Sequence, residues 1–203
     1  MDCHCWYSRC RMTCLIGVPV RTVIALLLGA WMAGSVVVGG VAAENFFMID
    51  RLLLSSGSPA ANPSFQKDAA QLTTPEARLM LRYLVSELNR YYFNVWGWFE
   101  LGLAVLLMAL VLAALRERRF LIGFASMLII TAVMTFYITP RIIVVGRALD
   151  YVPREPAPAG MAEFGMLHGA YSILDLAKLA LGVWMAVEMV RRVQASENKE
   201  PTA

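Results

Sequence analysis

The sequence predicts an all-α protein, a four-helix transmembrane bundle with an external amphipathic helix, and three observations carry that prediction. Hydrophobic residues make up 59% of the 203-residue chain and charged residues only 16%, against about 45–50% and about 25% in soluble domains. A soluble core of this size could not bury so much apolar surface, so the excess must face lipid. Four stretches, about residues 18–43, 93–115, 120–138 and 165–189, each approach the ~20 apolar residues that a helix needs to cross the hydrocarbon core. Arginines cluster before the first stretch (Arg9, Arg11, Arg21), between the second and third (Arg116, Arg118, Arg119) and after the fourth (Arg191, Arg192). With four spans all three clusters share one side, and the excess of arginine on cytoplasmic segments places both termini in the cytoplasm. The expected location is a cell membrane, plasma or inner, crossed several times. Backbone groups in lipid must be paired within their own segment, so the spans are helices.

The chain opens on residues 1–17, where Cys3, Cys5, Cys10, Cys14 and His4 crowd together. Soft ligands at this density can hold zinc or copper(I), although the spacing lacks paired C-x2-C knuckles. Two plainer readings stand beside the metal: a start of translation at Met12, and a passive tail kept reduced by the cytoplasm. Within the first span Gly29, Ala33 and Val37, with Ala30 and Gly34, set small residues four apart, which permits close helix approach. Val41-Ala42-Ala43 before Glu44 resembles a signal-peptidase site, but the apolar run is longer than the ~7–15 residues of a signal peptide. An intact span is expected.

Residues 55–63 (SSGSPAANP) read as a loop. Thr73 and Glu76 then have capping-box spacing, with Pro75 in the first turn. Leu81, Leu84, Val85 and Leu88 form an apolar stripe, so this stretch is predicted to lie at the outer interface as an amphipathic helix. Tyr91, Tyr92, Trp96 and Trp98 follow as an aromatic belt at headgroup level. After the third span, Pro140 is expected to end or kink the helix, with Arg141 pairing to Glu44 or Asp50. Residues 150–163 (DYVPREPAPAGMAE) are irregular by composition, and residues 193–203 form a polar, disordered cytoplasmic tail.

Charges at mid-bilayer cost at least about 2.5–3.5 kcal/mol each on insertion scales, so each needs a reason. Glu100 lies about 13 Å below the outer end of a helix starting near Tyr91. Asp175 and Lys178 are neighbours on the fourth span, and Glu100 can reach their level from the adjacent helix. Two carboxylates on one ammonium leave one carboxylate in excess. His168, Tyr171, Ser172 and Asp175 fall on one side of the fourth span, and Gly182 and Ala186 continue it with small side chains. This polar face reads either as glue between helices or as a route for a metal ion, proton or small solute opening through His168.

No cofactor is predicted. His168 is the only histidine near a span, which leaves a bis-histidine haem without its second ligand. Met127 and Met134 read as packing rather than copper ligands. No nucleophile–base pair is visible, so an enzyme is not expected. The net charge of +3 is too small and too scattered for nucleic acid. The expected partner is the bilayer, with a second copy or a larger membrane complex as the protein partner on the alternative reading, an assembly subunit.

Trp31 with Gly34, Tyr92-Phe93, Thr139-Pro140-Arg141 and, most specifically, the segment FGMLHGAYSILDL opening the fourth span together resemble the transmembrane protein 205-like family, domain of unknown function 4149. The resemblance runs from about residue 23 to 186. It implies a four-span bundle without an established reaction and marks His168, Ser172 and Arg141 as a set. Asp175 stands where an Asn is expected in that family. Its animal member is associated with tolerance of platinum drugs, and the bundle is similar to copper-resistance membrane proteins.

Overall fold

A computed structural model describes residues 5–54, 62–115, 117–152 and 155–197, with side chains of the first helix from residue 20 onward. Every element among the described residues is helical: α1 (Cys5–Leu54), α2 (Pro63–Ala69), α3 (Thr74–Ala114), α4 (Arg118–Val133), a π-helical turn (Met134–Ile138), α5 (Thr139–Ala148) and α6 (Met161–Glu197). Three helical stretches are long and apolar enough to cross a membrane: Val20–Leu53, Thr74–Ala114 and Arg118–Ala148. Cys3 lies outside the described residues, as do the side chains of Cys5, Cys10 and Cys14.

The long helices pack in a ring, α1 on α3, α3 on α4, α4 on α6 and α6 on α1. Partners advance along α1 as they retreat along α3, which makes the two antiparallel. Arg21 meets Glu117 just beyond α3, Ser35 meets Glu100, and Asn45 meets Asn89. One end of the bundle holds the tight α3–α4 turn; the other holds the connections after α1 and α5, and we call these the tight-turn and long-loop ends. An apolar core of Ile24, Leu28, Leu107, Val111, Phe120, Phe124, Met185 and Met189 fills the half nearer the tight turn.

Within a bilayer, helices gain little from burying apolar surface against each other, so close fit and buried polar bonds hold them together. At Gly34 the Trp96 ring occupies the space a Cβ would need, and at Gly123 the Met185 Sδ stands 2.5 Å from that position. Around Gly29 there is nothing within 4 Å, and Ala30, Ala33 and Val37 are exposed. The small-residue stripe of α1 therefore splits: Gly34 serves the bundle, while the rest faces outward.

Four expectations change; the first is the tail, because residues 193–197 continue α6 instead of beginning a disordered segment. The amphipathic stretch is not a separate external helix; it is the first half of α3, which begins at the predicted Thr73–Glu76 capping box and runs unbroken for 41 residues. No proline or glycine lies between Pro75 and Gly97 to stop it. Its stripe stays largely open, with Leu84 56% and Leu88 38% exposed. Trp96, one of the four aromatic residues expected at headgroup level, packs on Gly34 and stacks on Phe99.

Pro140, expected to end or kink the helix, does not end it. A proline lacks the N–H and crowds the carbonyl four residues back. The five-residue π turn immediately before it provides the room, with Thr139 N–H donating to Met134 O, and α5 carries on to Ala148. Thr135, inside that turn, donates to Gly97 O of α3 at 3.2 Å.

Arg141 pairs with Glu163 at the start of α6, at 3.0 and 2.7 Å. The acids expected to hold it have other partners: Glu44 pairs with Arg51 at 2.5 Å, one side of α1 to the same side two turns on, and Asp50 with Arg78 of α3 at 2.7 Å.

Candidate functional site

The site begins with Glu100, set by α3 into the middle of the bundle and 2% exposed. A carboxylate there has lost its water and must be compensated by charge and hydrogen bonds. Two helices supply them, as three donors to one oxygen. Trp31 Nε1 and Ser35 Oγ of α1 each donate to Glu100 Oε1 at 2.7 Å, and Lys178 Nζ of α6 donates at 2.6 Å. Trp31 and Ser35 are four apart, so one face of α1 presents both.

Lys178 is 1% exposed, and its Nζ is shared with Asp175 Oδ1, one turn earlier on α6, at 2.8 Å. The same ammonium lies 5.7 Å from the Trp31 ring centre, within range of a cation–π attraction. One buried cation therefore bridges two carboxylates from different helices. The Asp175 side chain remains 25% exposed whereas that of Glu100 is 2%, so the two acids differ in access to anything outside the cluster.

The polar face of α6 is narrower than its helical spacing suggests. Tyr171 and Asp175 are half-buried and Lys178 and Gly182 buried, while His168 and Ser172 are exposed. The Ser172 hydroxyl turns back to the His168 carbonyl at 3.0 Å. His168 stacks on Phe164, ring centres 6.1 Å apart, and Tyr171 sets its edge on Phe93 at 5.5 Å. Sequence reasoning found Glu100, Asp175 and Lys178 by their charge. It missed the roles of Trp31 and Ser35, whose available signal was a polar pair four apart on an otherwise apolar span.

Above the cluster, toward the long-loop end, a cavity of about 150 Å³ opens between α1, α3, α5 and α6. Asn89 closes its side, donating to Ala42 O at 3.0 Å and accepting from Asn45 at 2.8 Å. Arg90 is held by Glu87 at 2.6 Å and by both Asp150 oxygens at 2.7 and 3.0 Å. Arg147 grips Glu87 at 3.0 and 2.9 Å. At the tight-turn end Glu117 receives Arg21 at 2.8 Å, Arg119 at 3.5 Å and Arg192. Glu188 takes Arg119 at 2.6 Å and Arg192 at 3.2 Å.

Among the described residues, no group of three or more His, Cys, Asp or Glu side chains is placed to hold a metal ion. Glu44, Asp50 and Arg141 stand at the long-loop end in the three separate ion pairs given above, apart from the Glu100 cluster. Compared with known proteins, the chain matches no family profile, no curated protein and no solved structure.

Proposed function

We propose that this chain is an integral membrane protein of four spans, with α6 as the fourth and both termini cytoplasmic, and that it moves a proton or a small solute through the Glu100–Lys178–Asp175 cluster. The observation that carries the reading is the buried Lys178 bridging two carboxylates of unequal exposure. With both acids ionised the cluster holds one negative charge in excess; a proton on Asp175 removes it, while Glu100 keeps Lys178 in place. A site that can change charge without losing its central pair suits ion or proton exchange, and intramembrane ionisable residues commonly mark such pathways. The arginines of the tight-turn end support the cytoplasmic placement of that side.

Of the residues on which the chain resembles the transmembrane protein 205-like family, Trp31 and Asp175 stand in the cluster, and Phe93, Thr139, Phe164, His168 and Tyr171 line the cavity above it; the resemblance itself implies no reaction.

The test is proton flux into liposomes containing the purified protein and a trapped pH-sensitive dye, driven by a potassium diffusion potential. Wild-type protein should acidify the lumen faster than empty liposomes, and Asp175→Asn should abolish that flux while remaining folded and monodisperse. Equal flux in both would sink the proposal. Failure of Asp175→Asn to accumulate would instead mark the cluster as a strut between helices.

A second reading, a subunit that assembles with another membrane protein, draws on one observation: the open flank of α1. Gly29, Gly39 and Gly40 each have nothing within 4 Å of a built Cβ, and small residues on a lipid-facing surface suit close helix docking. Copurification of a stoichiometric partner, lost on Gly40→Leu, would favour it.

A further inference from the structure

The cavity at the long-loop end is built from residues the proton reading does not use. Its walls include Phe93 of α3, Ile142 and Ile143 of α5, and Phe164, His168 and Tyr171 of α6. Ile142 and Ile143 lie about one turn beyond the π turn, and a π turn shifts the angular register of everything after it. The inserted turn thus sets which residues of α5 meet α6 here.

We propose that this cavity binds a small, uncharged aromatic molecule about one ring in size, reaching it from the bilayer. Size, wall chemistry and charge each point to that class. A volume of about 150 Å³ is what an apolar cavity needs to hold a benzene-sized ring. Aromatic walls favour another ring in edge or offset contact, and two such contacts, Phe93–Tyr171 and Phe164–His168, already frame the space. The one cation on the lining, Arg90, is bound to two carboxylates, so an anionic ligand would have to break those pairs. His168 and Tyr171, with Ser86 and Thr139, add hydrogen-bonding atoms to a mainly apolar wall, which fits a ring bearing one hydroxyl or carbonyl. His168 is itself exposed, which puts the mouth on the outer flank of α6.

This inference is independent of proton movement. The probe is 4-fluorophenol, followed by fluorine NMR on the full chain in lipid nanodiscs. Partition into lipid rises linearly with concentration, whereas a site gives a saturable component absent from empty nanodiscs. Wild-type protein should show that component. Ile143→Trp, which fills the cavity, should weaken it at least tenfold, and Ile129→Trp, at a lipid-facing position 63% exposed, should leave it unchanged. Ile143→Ala should admit 6-fluoro-2-naphthol, which the wild type excludes; this arm decides the matter if Ile143→Trp does not fold.

Glu100→Gln should retain phenol binding even where it loses proton flux, so the two proposals fail separately. Purely linear partition in the wild type, as would follow from a lipid chain permanently occupying the cavity, overturns the site. So does a saturable signal that Ile143→Trp leaves intact or Glu100→Gln removes.

Discussion

Lys178 has two jobs that pull on different neighbours. It neutralises Glu100, which has no water to fall back on, and it shares the same ammonium with Asp175, which does. Removing one member of a buried pair leaves an uncompensated charge, commonly at a cost of about 3–5 kcal/mol. Lys178→Met should therefore cost about that much, because Glu100 would be left with only the neutral donors Trp31 and Ser35. Asp175→Asn should cost about 1 kcal/mol or less, since its partner keeps Glu100 and the side chain is part-solvated. Glu100→Gln combined with Lys178→Met should recover much of the single-variant loss, as no fully buried charge then remains and Asp175, left without its cation, keeps some solvent. Reversible unfolding in mixed micelles measures all three. If Lys178→Met matches wild type, the ion pair is not what holds the three helices at this level. The charges of this cluster were legible in the sequence, because a bilayer makes every one conspicuous. Its neutral half was not: nothing about a tryptophan or a serine shows which helix lies opposite until the packing is known.

At the scale of elements, the helix contacts depend on what kind of side chain fills the space above each glycine. Trp96 lies over Gly34 and Met185 over Gly123. An indole is rigid and is itself stacked on Phe99, whereas a thioether can turn aside. Gly34→Ala should therefore lower stability by about 1–3 kcal/mol through overpacking, and Gly123→Ala by clearly less. Thermal unfolding in one detergent compares them, and Trp96→Ala should relieve the Gly34→Ala defect specifically. Equal losses at both glycines would show that neighbour stiffness does not govern these contacts. Element boundaries were legible where local chemistry decides them: the Thr73–Glu76 box starts α3, with Thr73 N–H donating to Glu76 Oε2 at 2.9 Å. They were less so where a distant helix decides. Pro140 breaks a regular α-helix by local rules, yet the π turn and the Thr135–Gly97 bond across to α3 carry the chain through it. Arg141 likewise had acids of matching charge on α1, and only the return of α6 brings Glu163 to it.

For the whole molecule, the buried pair and the topology are one problem. With α6 as the proposed fourth span, its charges raise the cost of inserting it, and the Glu100–Lys178 contact offsets that cost only after α6 has docked on α1 and α4, across the bundle from α3. On that proposal, insertion of α6 depends on a residue of an earlier helix. At the tight-turn end the same helices are tied again, with Glu117 accepting from Arg21 of α1 and Arg192 of α6. These pairs are part-solvated and worth less than a fully buried one, so more of the specificity for α6 comes from the buried level. Reporters fused to the two termini should both report the cytoplasmic side in the wild type. In Glu100→Leu, Lys178 has lost its buried partner, and a measurable fraction of chains should carry the C-terminal reporter on the opposite side from the N-terminal one. Adding Lys178→Leu should restore a single topology by removing the charge that needed the partner. A C-terminal reporter that stays cytoplasmic in Glu100→Leu would mean α6 inserts on its own hydropathy and that the pair acts only after insertion. Opposite-side reporters in the wild type would leave α6 outside the bilayer and remove the fourth span.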